Sequence, residues 1–326
     1  VGDSPGNATD NFEKVLTVCG IKEAAEKAGG RIVSFQEKGI VNVPSPSQNQ
    51  RISSITVSKA VLDADIVINL PKLKTHGLTK YTGAIKNLFG CVPGFHKSQY
   101  HALAPKPSAL SQTFVDLLEI VKPTLNIMDA VEGMEGNGPS AGDKRHFGAI
   151  FISTDAVALD TVCSAAIGFA PLSIATTRIA HQRKLGEGNL GKIEIIGERL
   201  ESVIKKDWRP PVGINQLLDF IPDLLFPLLQ PIIKMIRVDP VIDQKKCTKC
   251  LACVKGCPEK MIKTHPLLTS KPPSPSLDKR GGIKGGEFNV EIDLSRCIMC
   301  FCCHELCSYQ AISLQPNWLA RRIGVS

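Results

Sequence analysis

The sequence predicts an α/β domain with a mostly parallel sheet, followed by a small α+β ferredoxin-like domain. Three observations carry this expectation. Helical and strand patterns alternate over residues 11–200, short β-branched apolar runs recur between the helical stretches, and two cysteine runs with one shared spacing lie near the carboxyl end.

The elements follow in order. Residues 11–27 read as a helix stopped by Gly29 and Gly30, and 31–35 as the strand after it. The run at 66–70 is a second strand, 113–121 a Leu-rich helix and 124–128 a third strand. Residues 147–152 form a further strand leading into a helix over 156–167, with Asp155 as its N-cap and Asp160 one turn on. Residues 193–196 close the series as a last strand, and the expected connection is strand, crossover, strand throughout. This gives an α/β domain over 1–207. The Trp208-Arg209-Pro210-Pro211 segment marks its end, and 208–237 is a Pro-broken apolar linker of short amphipathic helices. Asp219, Asp223, Lys234 and three prolines interrupt that stretch, so no membrane span is expected, although 214–236 suits a peripheral membrane or partner contact. Residues 238–326 form the ferredoxin-like domain, with a Pro/Ser/Gly/Lys-rich mobile insertion at 264–286.

Composition narrows the function classes. The chain has 326 residues, 43% hydrophobic and 21% charged, which is enough for about two core-bearing domains and too apolar for disorder. Aromatics at 5% exclude a surface that stacks many bases. The chain opens at Val1 with Val-Gly-Asp-Ser-Pro-Gly, from which a missing first strand and helix are expected.

Of the 12 cysteines, only Cys19, Cys91 and Cys163 lie outside the two runs. The first run is Cys247-x2-Cys250-x2-Cys253-x3-Cys257-Pro258, and the second is Cys297-x2-Cys300-x2-Cys303-x3-Cys307-Ser308. This spacing is the bacterial two-cluster pattern: three thiolates of one loop cap one cubane, and the fourth reaches the other. Cys247, Cys250, Cys253 and Cys307 are expected to hold one 4Fe-4S cluster, and Cys297, Cys300, Cys303 and Cys257 the other. Zinc sites want four ligands, commonly in pairs, and need no third cysteine at this spacing. Cys302, between ligands, reads as a bystander. Clustered thiols imply a reducing compartment, and the cytoplasm is the expected location. Two clusters at roughly −2 each lower the formal charge of +8 to about +4, which weakens any case for nucleic acid.

In the larger domain, the densest polar patch is Pro71-Lys72-Leu73-Lys74-Thr75-His76, then Thr82 and Lys86-Asn87. Polar residues just beyond a parallel strand lie where α/β sheets bind ligands, and lysines with amide donors suit a carboxylate or phosphate. A basic solvated loop is the plainer alternative. Lys72, Lys74, His76, Lys86 and Asn87 are the candidate anion site; of His76, His96 and His101 only His76 sits in a convergent patch. Asp129, Glu132 and Glu135, among glycines, are candidates for protons or a divalent cation, with a surface turn as the rival. Gly186-Glu187-Gly188-Asn189-Leu190-Gly191 has the letters of a dinucleotide fingerprint, but follows a helix and precedes a strand, so it reads as a helix C-terminal turn.

The stretch from Pro71 to His76, Lys86-Asn87-Leu88-Phe89-Gly90, the loop from Glu132 to Pro139, and Asp155 with Ala158-Leu159-Asp160 resemble the family called domain of unknown function 362. The resemblance covers about residues 1–200. It implies an α/β domain that often carries a ferredoxin module, and it leaves the substrate open. The expected protein is an iron–sulfur oxidoreductase, with electrons moving between an external one-electron carrier or redox partner protein and an anionic small molecule. The rival is a non-catalytic electron-transfer or docking subunit of a larger redox complex; a structural role for the clusters is a third option.

Overall fold

The computed structural model describes residues 1–6, 11–48, 51–104, 106–140, 142–211, 225, 228–229, 235–266, 276–277, 283–284 and 288–322. Most of the linker expected at 208–237 and most of the insertion at 264–286 lie outside them.

The centre of the amino-terminal part is the long strand Leu125–Glu135. It pairs in parallel with Ile68–Asn69 and with Lys72–His76, and antiparallel with Asp143–Ser153. Lys72–His76 in turn pairs antiparallel with Lys80–Thr82. The fold class is therefore α/β, with parallel pairings at the heart of the sheet. The chain departs from an all-crossover order at its two hairpins. The glycine-rich stretch, for which a surface turn is one of two alternatives, is strand through Glu135: Gly133 and Glu135 pair with Arg145 and Asp143.

Helix Pro107–Val121 starts on a proline, whose missing N–H costs nothing there, and ends at left-handed Lys122, φ 48°, just before Pro123. It buries Leu110, Phe114 and Leu117 completely, at about 1.5–3 kcal/mol each. Helix Ala156–Ala166 is capped by Asp155, whose carboxylate accepts from the Val157 and Ala158 amides at 2.7 and 3.0 Å. It packs on the two long strands and on the short helix Ala84–Asn87, which also touches Pro107–Val121.

Other boundaries moved for local reasons. The expected helix 11–27 is two helices, Phe12–Val18 and Ile21–Lys27, broken at Gly20, φ 74°. Residues 193–196 form no strand; Ile193 packs on the core while Ile196 is 90% exposed. β-propensity makes a strand only where a sheet edge is available to pair with it. The fingerprint-like Gly186 follows helix Ala175–Gln182, and its neighbour Glu187 donates its amide to Asp155.

The carboxyl-terminal part is small and α+β. Val238–Ile242 pairs antiparallel with Ile312–Pro316, and Ile262–Pro266 with Phe288–Ile292. Each pair joins a strand of one cysteine repeat to a strand of the other, so the two repeats interlock. Residues 276–277 pair with 283–284 inside the segment expected to be an insertion. No helix among the described residues is long and apolar enough to cross a membrane.

Candidate functional site

A register shift in the pairing of Lys72–His76 with the central strand separates the two lysines of the expected patch. Lys72 turns to Asp129 and forms an exposed ion pair at 2.7 Å. Lys74 turns instead into a cavity of about 250 Å³ between the sheet domain and the cysteine-rich part. The cavity is lined by Lys74, Thr82, Lys86, Asn87, Lys97 and His101 on one side, and by Cys302, Glu305 and Leu306 on the other.

Local folding aims each group. The buried Asp160 carboxylate accepts from the Ala84 amide at 2.6 Å and the Ile85 amide at 3.0 Å, which fixes the start of the helix bearing Lys86 and Asn87. Gly83 is required there, because a Cβ would lie 2.0 Å from Asp160 Oδ1. The exposed Asn87 donates to the buried Asn69, which donates to the buried Asn126, so an asparagine ladder running inward fixes the cavity rim. Gly138 lets the 136–139 loop approach the strand: a Cβ would stand 2.1 Å from the Thr75 carbonyl oxygen.

Three lysines of the cavity, Lys74, Lys86 and Lys97, face two carboxylates, Asp3 and Glu305. Among the described residues neither Lys74 nor Lys86 makes a hydrogen bond or ion pair with its ammonium group; Lys86 lies 5.2 Å from the Phe114 ring centre. Burial lowers the pKa of Lys74, and pushes that of Lys86 down to about 8. Lys97 is also lowered to about 8 by burial, but it is held by the Ser4 and Pro5 carbonyls at 2.6 and 3.1 Å. Thr82 Oγ1 and His101 Nδ1 are buried without a partner among the described residues. Buried polar groups are normally hydrogen-bonded, so these two unsatisfied groups are exceptions to the usual pattern.

Glu305 supplies the one carboxylate that the cysteine-rich part brings to the cavity. Burial raises its pKa, while Lys86 and Lys74 pull it back. His76 stands behind it: the Leu78 and Thr79 amides donate to Nδ1 at 3.1 and 3.4 Å, so the ring proton sits on Nε2, 3.4 Å from Glu305 Oε1. Burial holds the His76 pKa well below its usual value, so the ring is neutral.

The structure thus brings together Lys74, Lys86 and Asn87, with His76 one residue removed. It places Lys72 with Asp129 and gives Glu132 to Lys144. Glu135 is nearly buried; desolvation pushes its pKa up, but hydrogen bonds from Arg145 and Arg209 outweigh this and hold it at about 2. Asp129, Glu132 and Glu135 are therefore ion-pair partners here, not cavity groups. Sequence reasoning missed Lys97 and Glu305. Glu305 carried one usable signal, a charge between two ligand-spaced cysteines where the first repeat has Lys255.

The cysteines fit a four-iron cluster by their own arrangement. A second cavity is lined by Cys257, Cys297, Cys300 and Cys303, with Cys302 beside them. Cys253 has Cys250, Cys247 and Cys307 as its charge neighbours. All of these thiols are free. Among the described residues no three ligating side chains are gathered tightly enough for a single metal ion. Backbone amides of Met261, Met299 and Ala311 point at Cys257, Cys297 and Cys307 Sγ at 3.3, 3.5 and 3.2 Å. Such donors stabilise thiolate charge and tune cluster potential.

Fold and thiol pattern together define an iron–sulfur protein of the electron-transfer class, and a 4Fe-4S dicluster domain matches residues 239–308. The chain belongs to the family described as domain of unknown function (DUF362), which matches residues 1–165. It is 39% identical over 141 residues to "Thylakoid-associated protein sll1697" of Synechocystis sp. (strain ATCC 27184 / PCC 6803 / Kazusa). That match spans 43% of this chain and 43% of the relative, so less than half of either. No solved structure matches the chain significantly.

Proposed function

We propose that this protein moves electrons between two 4Fe-4S clusters and an anion held in the cavity beside them. Cys247, Cys250, Cys253 and Cys307 hold one cluster, and Cys257, Cys297, Cys300 and Cys303 the other. The clusters supply single electrons. The chain's own residues do the rest: Lys74 and Lys86 bind the anion, Asn87, Thr82 and His101 orient it, and Glu305 with His76 Nε2–H stands ready to hold a proton beside it. In this reading residues 1–207 are the ligand-binding domain and 238–326 the electron relay, and the clustered thiols place the protein in a reducing compartment such as the cytoplasm.

One observation carries the proposal. Two unpaired lysines face a cavity whose opposite wall is the Cys302–Leu306 segment of the cysteine-rich part. A docking subunit that only met a partner would have no need of three lysines around a cavity that holds two carboxylates, Asp3 and Glu305, since ammonium groups in excess of carboxylates are costly to desolvate.

The test uses protein purified without oxygen. About eight irons and eight acid-labile sulfides per chain are expected; two zinc ions instead would end the electron-transfer reading. Binding of inorganic phosphate and of small carboxylates is then compared for Lys74→Ala and for Lys192→Ala on the open surface. Loss of a charge-assisted contact should cost about 1.5–3 kcal/mol at Lys74 and almost nothing at Lys192. Equal binding by the two variants would leave the non-catalytic electron-transfer subunit as the better account.

A further inference from the structure

The two cysteine repeats share a backbone and differ in what they present. A shift of 50 residues carries Cys247 onto Cys297 and Val238–Ile242 onto Phe288–Ile292. The backbone follows: left-handed φ values of 58° and 56° recur at Lys249 and Met299, of 62° and 60° at Leu251 and Phe301, and of 56° and 51° at Lys260 and Gln310. The side chains do not follow. Lys245, Lys249, Lys255 and Lys260 of the first repeat stand where the second has Ser295, Met299, Glu305 and Gln310.

This difference maps onto surroundings. In the second repeat Phe301, Cys302 and Cys303 are buried, and Glu305 faces the ligand cavity. In the first, Cys250 is exposed, as are Lys245, Lys246, Lys255 and Lys260. The interlocked strand pairs relate the repeats by an approximate two-fold, and Lys255, the mate of Glu305, is exposed and is not among the residues that line the cavity. Of the acidic residues near these lysines, Asp243 has its carboxylate engaged by the Lys245 and Lys246 amides at 2.9 and 3.4 Å. The first repeat thus presents exposed lysines beside an exposed thiol, and the second presents Cys302, Glu305 and Leu306 to the cavity.

We propose that the exposed rim of Lys245, Lys246 and Lys255 docks an acidic one-electron carrier protein, and that electrons therefore come in on the Cys250 side and reach the ligand from the Cys300 side. The proposal rests on the cluster assignment above and adds a direction and a partner. The carrier gives up one electron and leaves oxidised; the chain holds that electron on the Cys250 side, then on the Cys300 side. No proton moves and no bond forms or breaks. A protein carrier fits better than an anionic membrane or nucleic acid because these exposed lysines flank in sequence the one loop that carries the exposed thiol Cys250, where a redox centre must approach closely. Opposed charges steer such encounters and raise association rates by ten- to a thousandfold at low salt, an effect that salt removes.

The experiment mixes the full-length holoprotein with a reduced acidic plant-type [2Fe–2S] ferredoxin and follows cluster reduction by stopped-flow absorbance. Lys245→Glu/Lys255→Glu should slow the second-order rate at least tenfold at low salt, and the deficit should vanish at high salt. Lys245→Gln/Lys255→Gln should fall between it and wild type, and Lys192→Glu should match wild type. Iron content and reduction by dithionite should be the same in all. Unchanged carrier rates in the charge-reversed variant, or a wild-type rate indifferent to salt, overturn the docking surface while leaving the clusters in place. A protein lacking iron before mixing overturns the cluster assignment itself. If the charge-reversed variant loses binding to phosphatidylglycerol vesicles but keeps its carrier rate, the rim is a lipid contact and the proposal falls.

Discussion

Replacing Lys86 by methionine should make the ligand-free protein more stable and at the same time a poorer binder. Burial holds the Lys86 ammonium at about 8 instead of 10.5. At about 1.4 kcal/mol per unit of pKa, that gap is on the order of 3 kcal/mol; water admitted by the cavity screens part of it, leaving about 2 kcal/mol. Methionine keeps the length of the side chain and removes the charge. At pH 7 the Lys86→Met protein should therefore resist urea better than wild type by about 2 kcal/mol, measured anaerobically at equal iron content. The sign of the pH dependence follows from the lowered folded-state pKa. Between about 8 and 10.5 the unfolded chain holds a proton that the folded chain has released, so wild-type stability rises with pH across that window and the advantage of methionine shrinks. Anion binding goes the other way. Wild type should bind phosphate best below pH 8 and weaken above it, whereas Lys86→Met should bind roughly ten- to a hundredfold more weakly at pH 7, with no such pH dependence. A variant that loses stability as well as binding would refute the reasoning, because it would mean that the charge is structurally compensated.

Two further outcomes test other parts of the site. Cys302→Ala should keep the full iron content, whereas Cys303→Ala should lose about four irons per chain, the content of one cluster; iron analysis with cluster spectroscopy decides, and the reverse pattern would reassign the ligands. Glu135→Gln should flatten the acid limb of the stability curve: the folded-state pKa of about 2 lies below the usual 4.5, so the Arg145 and Arg209 contacts stabilise above pH 4.5 and fade as pH falls towards 2. Urea unfolding at pH 7 and pH 3 for both proteins measures this, and parallel curves would show that the pairs contribute nothing.

The sequence by itself determined what depends on short separations. Cys247 to Cys257 and Cys297 to Cys307 carry their chemistry in their spacing, because three thiols two residues apart meet on one loop wherever that loop sits. The Asp155 cap and the helix after it were equally legible, since a cap bonds amides two and three residues away. The strand expected at 193–196 is absent, because pairing depends on a partner edge that local pattern does not describe. Only the tertiary structure decided the ligand site. A register shift turned Lys74 inward and left Lys72 to Asp129. Docking of the cysteine-rich part brought Glu305 to within 3.4 Å of His76, across 229 positions of chain. Which charges lose their water, and so which lysines have their pKa lowered, is set by packing between distant segments, and no local stretch of sequence encodes it.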